Sequence, residues 1–434
     1  MADSAVSTPK TDTLPAPSTA YRWTVLIFVS LAMFGNYYFY DALSPLADVL
    51  QRQLHFSDEN IGLLNSFYSI APIATVLIGG LIIDRIGTRK ATLFFGFICL
   101  AGAILTASTP DFGVMATGRL VFGMGAESLI ISVTTALAKW FRGKELSFAF
   151  GVNLMIARFG TWLAQNSPSW AASAYSNWRT PWLIGVGFTT LCVVGPLLYF
   201  ILEKRAERHF HLGQAGEVDK VAMGDIFKFG ASYWYLVGLC FVFYSAIFPF
   251  ETFAVKFFID SHHTTRSLGG FLLSILTACT IFGTPLFGLL TDRIGKRALL
   301  MILGALVLTP AFLLMAYSDV TLYTPMAMMG VAFALVPAVI WPSVAYIVEQ
   351  KTLGTALGLM TMIQNIGMAG LNWIAGRAND LSHAGPENPA GYRTMLQIFT
   401  VLAVIGVIFA VLLRRREVGP HGHGLETITT KSQA

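Results

Sequence analysis

Charge is what this sequence has least of. Only 12% of its 434 residues are charged and 55% are hydrophobic, with a mean hydropathy of +0.63. A soluble domain carries about 25% charged residues, so water is excluded as the chain's main solvent. Cysteine is scarce as well. Cys99, Cys192, Cys240 and Cys279 lie singly in four different apolar stretches, which excludes a disulfide framework or a thiolate metal site. They read as small core residues. The eight histidines fall in loops or tails, so no histidine relay crosses the apolar stretches, and His421-Gly422-His423 belongs to a terminal tail. No Asn-x-Ser/Thr sequon with a permitted middle residue occurs in the external loops, which weighs against a glycosylated compartment. No nucleophile–base pair or ligand set stands out, so an enzyme is not expected and no cofactor is implied.

What is present is a series of about twelve apolar runs, each long enough to cross ~30 Å of hydrocarbon as a helix. The first half reads 23–44, 59–83, 91–109, 113–138, 146–168 and 181–202; the second reads 229–258, 267–291, 298–317, 322–348, 353–376 and 393–413. With both termini cytoplasmic, roughly 21 basic residues fall on the cytoplasmic side against about 5 outside. The net charge of +5 thus reports topology, and no nucleic-acid surface is read into it. The expected organisation is a disordered tail (1–21), a six-helix bundle (22–202), a cytoplasmic linker (203–228) containing Gly213 and Gly216, a second bundle (229–414) and a disordered tail (415–434). No cleaved signal peptide is expected in the first tail.

The halves are related. Gly80-Leu81-Ile82-Ile83-Asp84-Arg85-Ile86-Gly87-Thr88-Arg89 returns 208 residues later as Gly288-Leu289-Leu290-Thr291-Asp292-Arg293-Ile294-Gly295-Lys296-Arg297. Each copy closes one apolar run and opens the next, the signature of a duplicated transporter with its site between the repeats. Gly80 and Gly288 suit close helix approach, and Gly87 and Gly295 suit a tight turn. Asp84 and Asp292, with Arg85, Arg89, Arg293 and Arg297 nearby, can form a latch that holds the cytoplasmic side shut and so favours an outward-open state. This Gly-x-x-x-Asp-Arg-x-Gly-x-Arg loop resembles the signature of the major facilitator superfamily, as does Arg119-x-x-x-Gly123-x-Gly125. The resemblance implies an all-α membrane protein of twelve helices in two pseudo-symmetric six-helix bundles. Span 5 lacks the Gly-Pro pair of proton-driven drug exporters, and span 1 lacks the Glu-x-x-Glu-Arg run of proton-coupled oligopeptide carriers.

Two charged residues lie near the middle of their spans, Glu127 and Arg158. Each costs at least ~2.5–3.5 kcal/mol to bury there, so each needs a partner or a watery cavity. Arg119 and Asp41 sit nearer the external ends, where water can reach them, and are less diagnostic. Thr161 and Gln165 follow Arg158 at i+3 and i+7 on one helix face. Span 1 adds Tyr37 and Tyr40, span 10 adds Trp341 beside Pro342, and span 11 adds Gln364 and Asn365. Two readings stand. Glu127 and Arg158 form a structural salt bridge, or they clamp a zwitterion, the carboxylate holding an ammonium and the guanidinium a carboxylate; the two can also alternate, the pair closing on itself when the site is empty.

Longer strings narrow the resemblance to the lysosomal dipeptide-transporter branch of the superfamily. They are Gly118 through Leu129, Trp140 through Leu146, Ala157-Arg158-Phe159-Gly160, Arg205-Ala206-Glu207-Arg208, Phe248-Pro249-Phe250, Trp341-Pro342, Leu353 through Ala356 and Gln364 through Gly367. That resemblance implies dipeptide transport by facilitated diffusion, with Glu127 as the amine site and Arg158 as the carboxylate site. Short external loops and missing sequons depart from a lysosomal address and from a glycosylated accessory subunit. A monomer in a prokaryotic inner membrane, with the lipid bilayer and a small-molecule substrate as its partners, is therefore expected. The competing expectation is a proton-coupled symporter of organic anions or another small metabolite. A non-transporting nutrient sensor is disfavoured because the linker carries no output module.

Overall fold

A computed structural model describes residues 17–141, 145–210, 229–349, 352–420 and 422–429. Most of the first tail, most of the linker with Gly213 and Gly216, Arg142-Gly143-Lys144 and His421 lie outside the described residues. The described chain is helical: α1 (Thr19–Asp41), α2 (Ala47–Leu54), α3 (Asp58–Ser108), α4 (Phe112–Phe141), α5 (Leu146–Gln165), α6 (Ser167–Trp170), α7 (Arg179–Thr189), α8 (Leu191–His209), α9 (Ala231–His262), α10 (Arg266–Ile294), α11 (Arg297–Tyr317), α12 (Tyr323–Ile347), α13 (Leu353–Leu381) and α14 (Tyr392–Val418). Helix α3 makes two crossings joined at Gly87, while α7 and α8 together make one, so twelve crossings result in two sets of six.

Gly87 has φ +80° and Gly295 φ +76°, so both repeat copies turn through the left-handed region that suits glycine. Elsewhere the repeat is less symmetric. A side chain at Gly288 would meet nothing within 4 Å, so no close helix approach forms there. Asp292 reaches Arg297 within its own half at 3.2 Å, whereas Asp84 is exposed and makes no ion pair among the described residues.

By length and composition, nine helical stretches among the described residues are apolar enough to cross a membrane. Helix α13 falls outside that set. It carries polar side chains where it packs on α3 of the other half, as α5 packs on α10, away from lipid. A Cβ on Gly62 would strike the carbonyl of Asn372, one on Gly376 that of Asp58, and one on Gly270 that of Gln165. Backbones from the two halves therefore touch.

These contacts lie at the end of the molecule away from the termini, here called the far end. Charge reinforces them. Lys256 Nζ sits 2.9 Å from Asp58 Oδ1 and donates to Tyr392 OH at 2.7 Å, and Tyr392 donates to Asp260 at 2.6 Å. Asp380 of α13 accepts from the Asp58 and Glu59 amides at 2.9 and 2.8 Å, capping the positive N-terminus of α3 from the opposite half. Arg266 pairs with Asp48, and Arg377 with Glu59 at 3.1 Å. At the terminal end the ion pairs stay within halves: Arg89–Glu207 at 2.6 Å, Lys139–Glu203 at 2.9 Å and Arg297–Asp292. The cleft between the halves is thus sealed at the far end and open towards the termini.

Two expectations need correction. The tail from 415 onward is ordered where it is described: α14 runs to Val418, and residues 422–429 fold back against the second repeat loop. Leu425 is buried there, its carbonyl accepts from Arg297 N at 2.9 Å, and Ile428 O accepts from Arg297 Nη1 at 2.6 Å. Sequence alone read this polar stretch as lacking a core to join.

Arg119 is not wetted either. It is 0% exposed, ringed by Phe39, Tyr40, Tyr68, Phe122 and Trp182. Its guanidinium donates to the Phe39 and Tyr40 carbonyls at 3.4 and 3.5 Å and to Asn65 Oδ1. Those carbonyls end α1 and have no partner of their own in the helix. The chain of donors continues across the halves: Asn65 Nδ2 to Thr252 Oγ1 at 2.7 Å, then Thr252 to Asn372 Oδ1 at 2.8 Å. Arg119→Ala should cost about 3–5 kcal/mol, since it strands the Asn65 acceptor and two carbonyls in a dry interior. A melting temperature of the detergent-purified protein within a degree of the parent's would contradict this role.

Candidate functional site

The open cleft ends on a mixed wall of charge and rings. From the first half, α4 supplies Glu127 and α5 supplies Arg158, both half-buried. They do not form an ion pair with each other, so the salt-bridge reading fails for this structure. Glu127 Oε1 instead accepts from Tyr68 OH at 3.1 Å. The Arg158 guanidinium lies between two rings, 5.4 Å from the centroid of Tyr37 and 5.5 Å from that of Phe333. Phe333 belongs to α12, so Arg158 faces the second half directly. Tyr37 sits within electrostatic reach of both Arg158 and Glu127.

Rings link these charges into one surface. Tyr40 packs on Tyr68 at 4.5 Å and reaches Phe248 of α9 at 6.3 Å. Phe248 stacks on Tyr244 with 11° between planes and meets Phe333 edge-on at 5.6 Å. Trp341 Nε1 donates to Tyr244 OH at 2.8 Å, which fixes both rings. The first half supplies the charges, and the second half supplies aromatic area.

Of the residues singled out in the sequence, Glu127, Arg158, Tyr37, Tyr40 and Trp341 come together here. Gln364 and Asn365 are buried in α13 with no contact that ties them to this wall. Asn365 Nδ2 turns back to the Thr361 carbonyl at 3.0 Å, and its Oδ1 is unpartnered. Sequence reasoning missed Tyr68, Tyr244, Phe248 and Phe333, since rings in an apolar span look like core. It also missed Glu251, although a carboxylate inside the seventh span was a visible signal. Glu251 and Asp41 line a small cavity of about 10 Å³ just beyond the wall, together with Tyr40, Asn65, Gln165 and Thr252.

Comparison with known proteins agrees with this architecture. The family model described as Major Facilitator Superfamily matches residues 29–371 and 252–431. The lysosomal dipeptide transporter MFSD1 of Bos taurus is 30% identical over 409 residues, covering 91% of this chain and 85% of that protein. Its Homo sapiens counterpart is 29% identical, with 92% and 88% covered. A galacturonate transporter of Dickeya chrysanthemi is 28% identical over 163 residues, 38% of this chain and 47% of that one. Among solved structures, a bacterial homologue of the human lysosomal transporter Spinster, inward-facing and unoccupied, superposes with TM-score 0.71 at 16% identity, covering 92% and 98% of the two chains. The nucleoside transporter NupG gives 0.69 at 14%, covering 90% and 98%. These proteins are transporters and not enzymes. This integral, multi-pass membrane chain, with its duplicated loop and two six-helix halves, belongs to the major facilitator superfamily of secondary transporters.

Proposed function

We propose that the chain carries dipeptides by alternating access, as facilitated diffusion, with Glu127 holding the free α-ammonium and Arg158 the α-carboxylate. The observation that carries this reading is the separation of the two charges. Each lies in one cleft, and neither neutralises the other. Arg158 keeps its donors free between two rings, and bidentate pairing with a carboxylate needs those donors. Tyr244, Phe248, Phe333 and Trp341 offer side chains adaptable apolar contact with few obligatory hydrogen bonds. Such a pocket is strict about termini and tolerant of side chains. The likeness to MFSD1 over nine-tenths of the chain supports the same substrate class. The basic residues gathered at the terminal end support a cytoplasmic assignment for that end, in a prokaryotic inner membrane. A second reading, a proton-coupled symporter of organic anions with Arg158 on the anion and Glu127 as the proton site, draws on the partial match to the galacturonate transporter.

Thermal stabilisation separates the two. A ligand that binds only the folded state adds about 2.7 kcal/mol at a hundredfold excess over its dissociation constant. Unblocked dipeptides should stabilise the purified protein, and N-acetylation or C-amidation should abolish the effect. Stabilisation by simple carboxylates alone selects the anion carrier. Arg158→Ala should bring dipeptide uptake to background while the protein stays monodisperse. Glu127→Gln should affect free-amine dipeptides far more than N-acetylated ones; equal losses would remove Glu127 from amine recognition.

The opening at the terminal end generates a further expectation. Gly151, Gly288 and Gly358 lie towards the terminal ends of α5, α10 and α13, and a side chain on any of them meets open space. Gly151 shares a helix face with Arg158, and Gly288 shares one with Thr277, which already bonds Gln165 across the halves. If these faces meet when the terminal end shuts, Gly288→Leu should leave binding intact, slow transport at least tenfold and hold the terminal end open to thiol reagents. Transport at the parent rate would sink this closing mode.

A further inference from the structure

Beneath the far-end seal, the cavity lined by Asp41 and Glu251 has no role in the reading above. Asp41 ends α1 in the first half and Glu251 lies on α9 in the second, so the two carboxyl groups meet only because the halves have closed. They are 9% and 6% exposed. The Glu251 carboxylate has no hydrogen-bond or ion-pair partner among the described residues, and the Asp41 carboxyl group meets only the uncharged Thr161 hydroxyl of α5. Ser44 Oγ reaches only the Glu251 carbonyl. Gln165 supplies an independent sign that something belongs in this space. It is 1% exposed and lines the cavity; its Oε1 is satisfied by Thr277 at 2.7 Å, yet its Nε2 donor is buried with no partner. A small pocket that brings two carboxyl groups together beside an unfilled donor is suited to water and a proton.

The surroundings do not remove the conflict between the carboxylates. Arg158 on α5 and Arg119 on α4 are the nearby cations, neither at ion-pair distance from them, and Arg119 is engaged by Asn65 and the end of α1. On α4, Glu127 adds a third carboxyl group within electrostatic reach of the neighbouring Tyr40. Tyr37 and Tyr40 on α1 and Tyr68 on α3 are hydroxyls. Helix α10 brings Leu273 and Thr277, and α13 brings Asn372, all uncharged. Further along α9, Lys256 is committed to Asp58 and Asp260. At the start of α2, Asp48 is committed to Arg266 and Arg52. Two like charges sealed together without a dedicated cation cannot both persist in a low dielectric.

We infer that Asp41 and Glu251 form a proton-binding site shared between the two halves, with Gln165 holding the bridging water, so that closing the far end takes up a proton. The sign follows from linkage: the conformation that binds the extra proton is favoured as pH falls. Acid therefore favours the far-closed, terminal-open state. Alkaline conditions ionise both groups and push the far end apart. The chemistry is proton exchange with water, and no other bond is made or broken.

The inference does not depend on dipeptides, so its test uses the ligand-free full-length protein in lipid nanodiscs. Spin labels at Ser173→Cys and Glu387→Cys, exposed on far-end loops of opposite halves, report the opening in a Cys279→Ser background. The ratio of far-closed to far-open molecules should rise about tenfold per pH unit lowered, across the range where one proton is taken up. Asp41→Asn and Glu251→Gln should each flatten that dependence and keep the far end closed at pH 8. A parent protein indifferent to pH overturns the proposal. So does a slope that survives in both variants, which would assign it to the surrounding ion pairs. A ratio set by sodium at constant pH overturns it too, in favour of a metal cation.

Discussion

Arg119 and the chain of donors that leaves it hold the far end together. Helix α1 stops at Asp41 deep in the protein, where its last carbonyls have neither water nor a following turn to bond them. The guanidinium answers that need and complements the negative helix terminus. Because Asn65 then passes a hydrogen bond to Thr252, and Thr252 to Asn372, the same cation orients groups on α3, α9 and α13. The close backbone approach at Gly62 and Gly376, the Lys256 cluster and the acid-lined cavity are all arranged around this chain. A buried charge here serves register between halves more than net stability, since removing one partner costs far more than the pair contributes.

That register also builds the candidate cleft. Tyr40 sits one residue before the end of α1, so the Arg119 contact to its carbonyl helps set its ring against Tyr68 and Phe248. Tyr68 in turn donates to Glu127. Arg158 gains its place by a different route, held between Tyr37 of its own half and Phe333 of the other. Charges thus come from one bundle and rings from its partner. A molecule bound to both is held by surfaces that move relative to one another whenever the cleft changes sides.

Much of this was legible in the sequence. The twelve crossings follow from apolar length, and the repeated loop gave both turn glycines, whose positive φ at Gly87 and Gly295 matches the geometry such a turn demands. Burial cost alone picked out Glu127 and Arg158. Arg119 was misjudged because depth in a span was taken for distance from water; a helix end can lie just as deep, as α1 does. Phe333 and Tyr244 were invisible because a ring lining a cleft and a ring in a core have the same spacing along a helix. The cross-half contacts were out of reach for a different reason. Asp380 caps α3 from 322 positions away, and no periodicity reports a meeting of that kind. The ordered tail was lost because its polar residues bond to a loop in another part of the chain.

The contrast between the two ends bears on how a carrier of this kind can cycle. A ligand moves a conformational equilibrium only by the difference in its affinity for the two states. The far-end seal is dense in ion pairs, but each pays back most of its Coulomb attraction in desolvation, so the seal's net strength is modest despite the number of contacts. Even a few kcal/mol of differential binding then suffices to compete with it. In the proposed dipeptide reading, the α-ammonium and α-carboxylate would both rest on the first half, so their contacts would move with that half and contribute little to the difference. The side chains would lie against Tyr244, Phe248, Phe333 and Trp341, the surface that the change of state alters. On that reading the charged ends govern which molecules bind, and the apolar surface governs whether binding turns the carrier over.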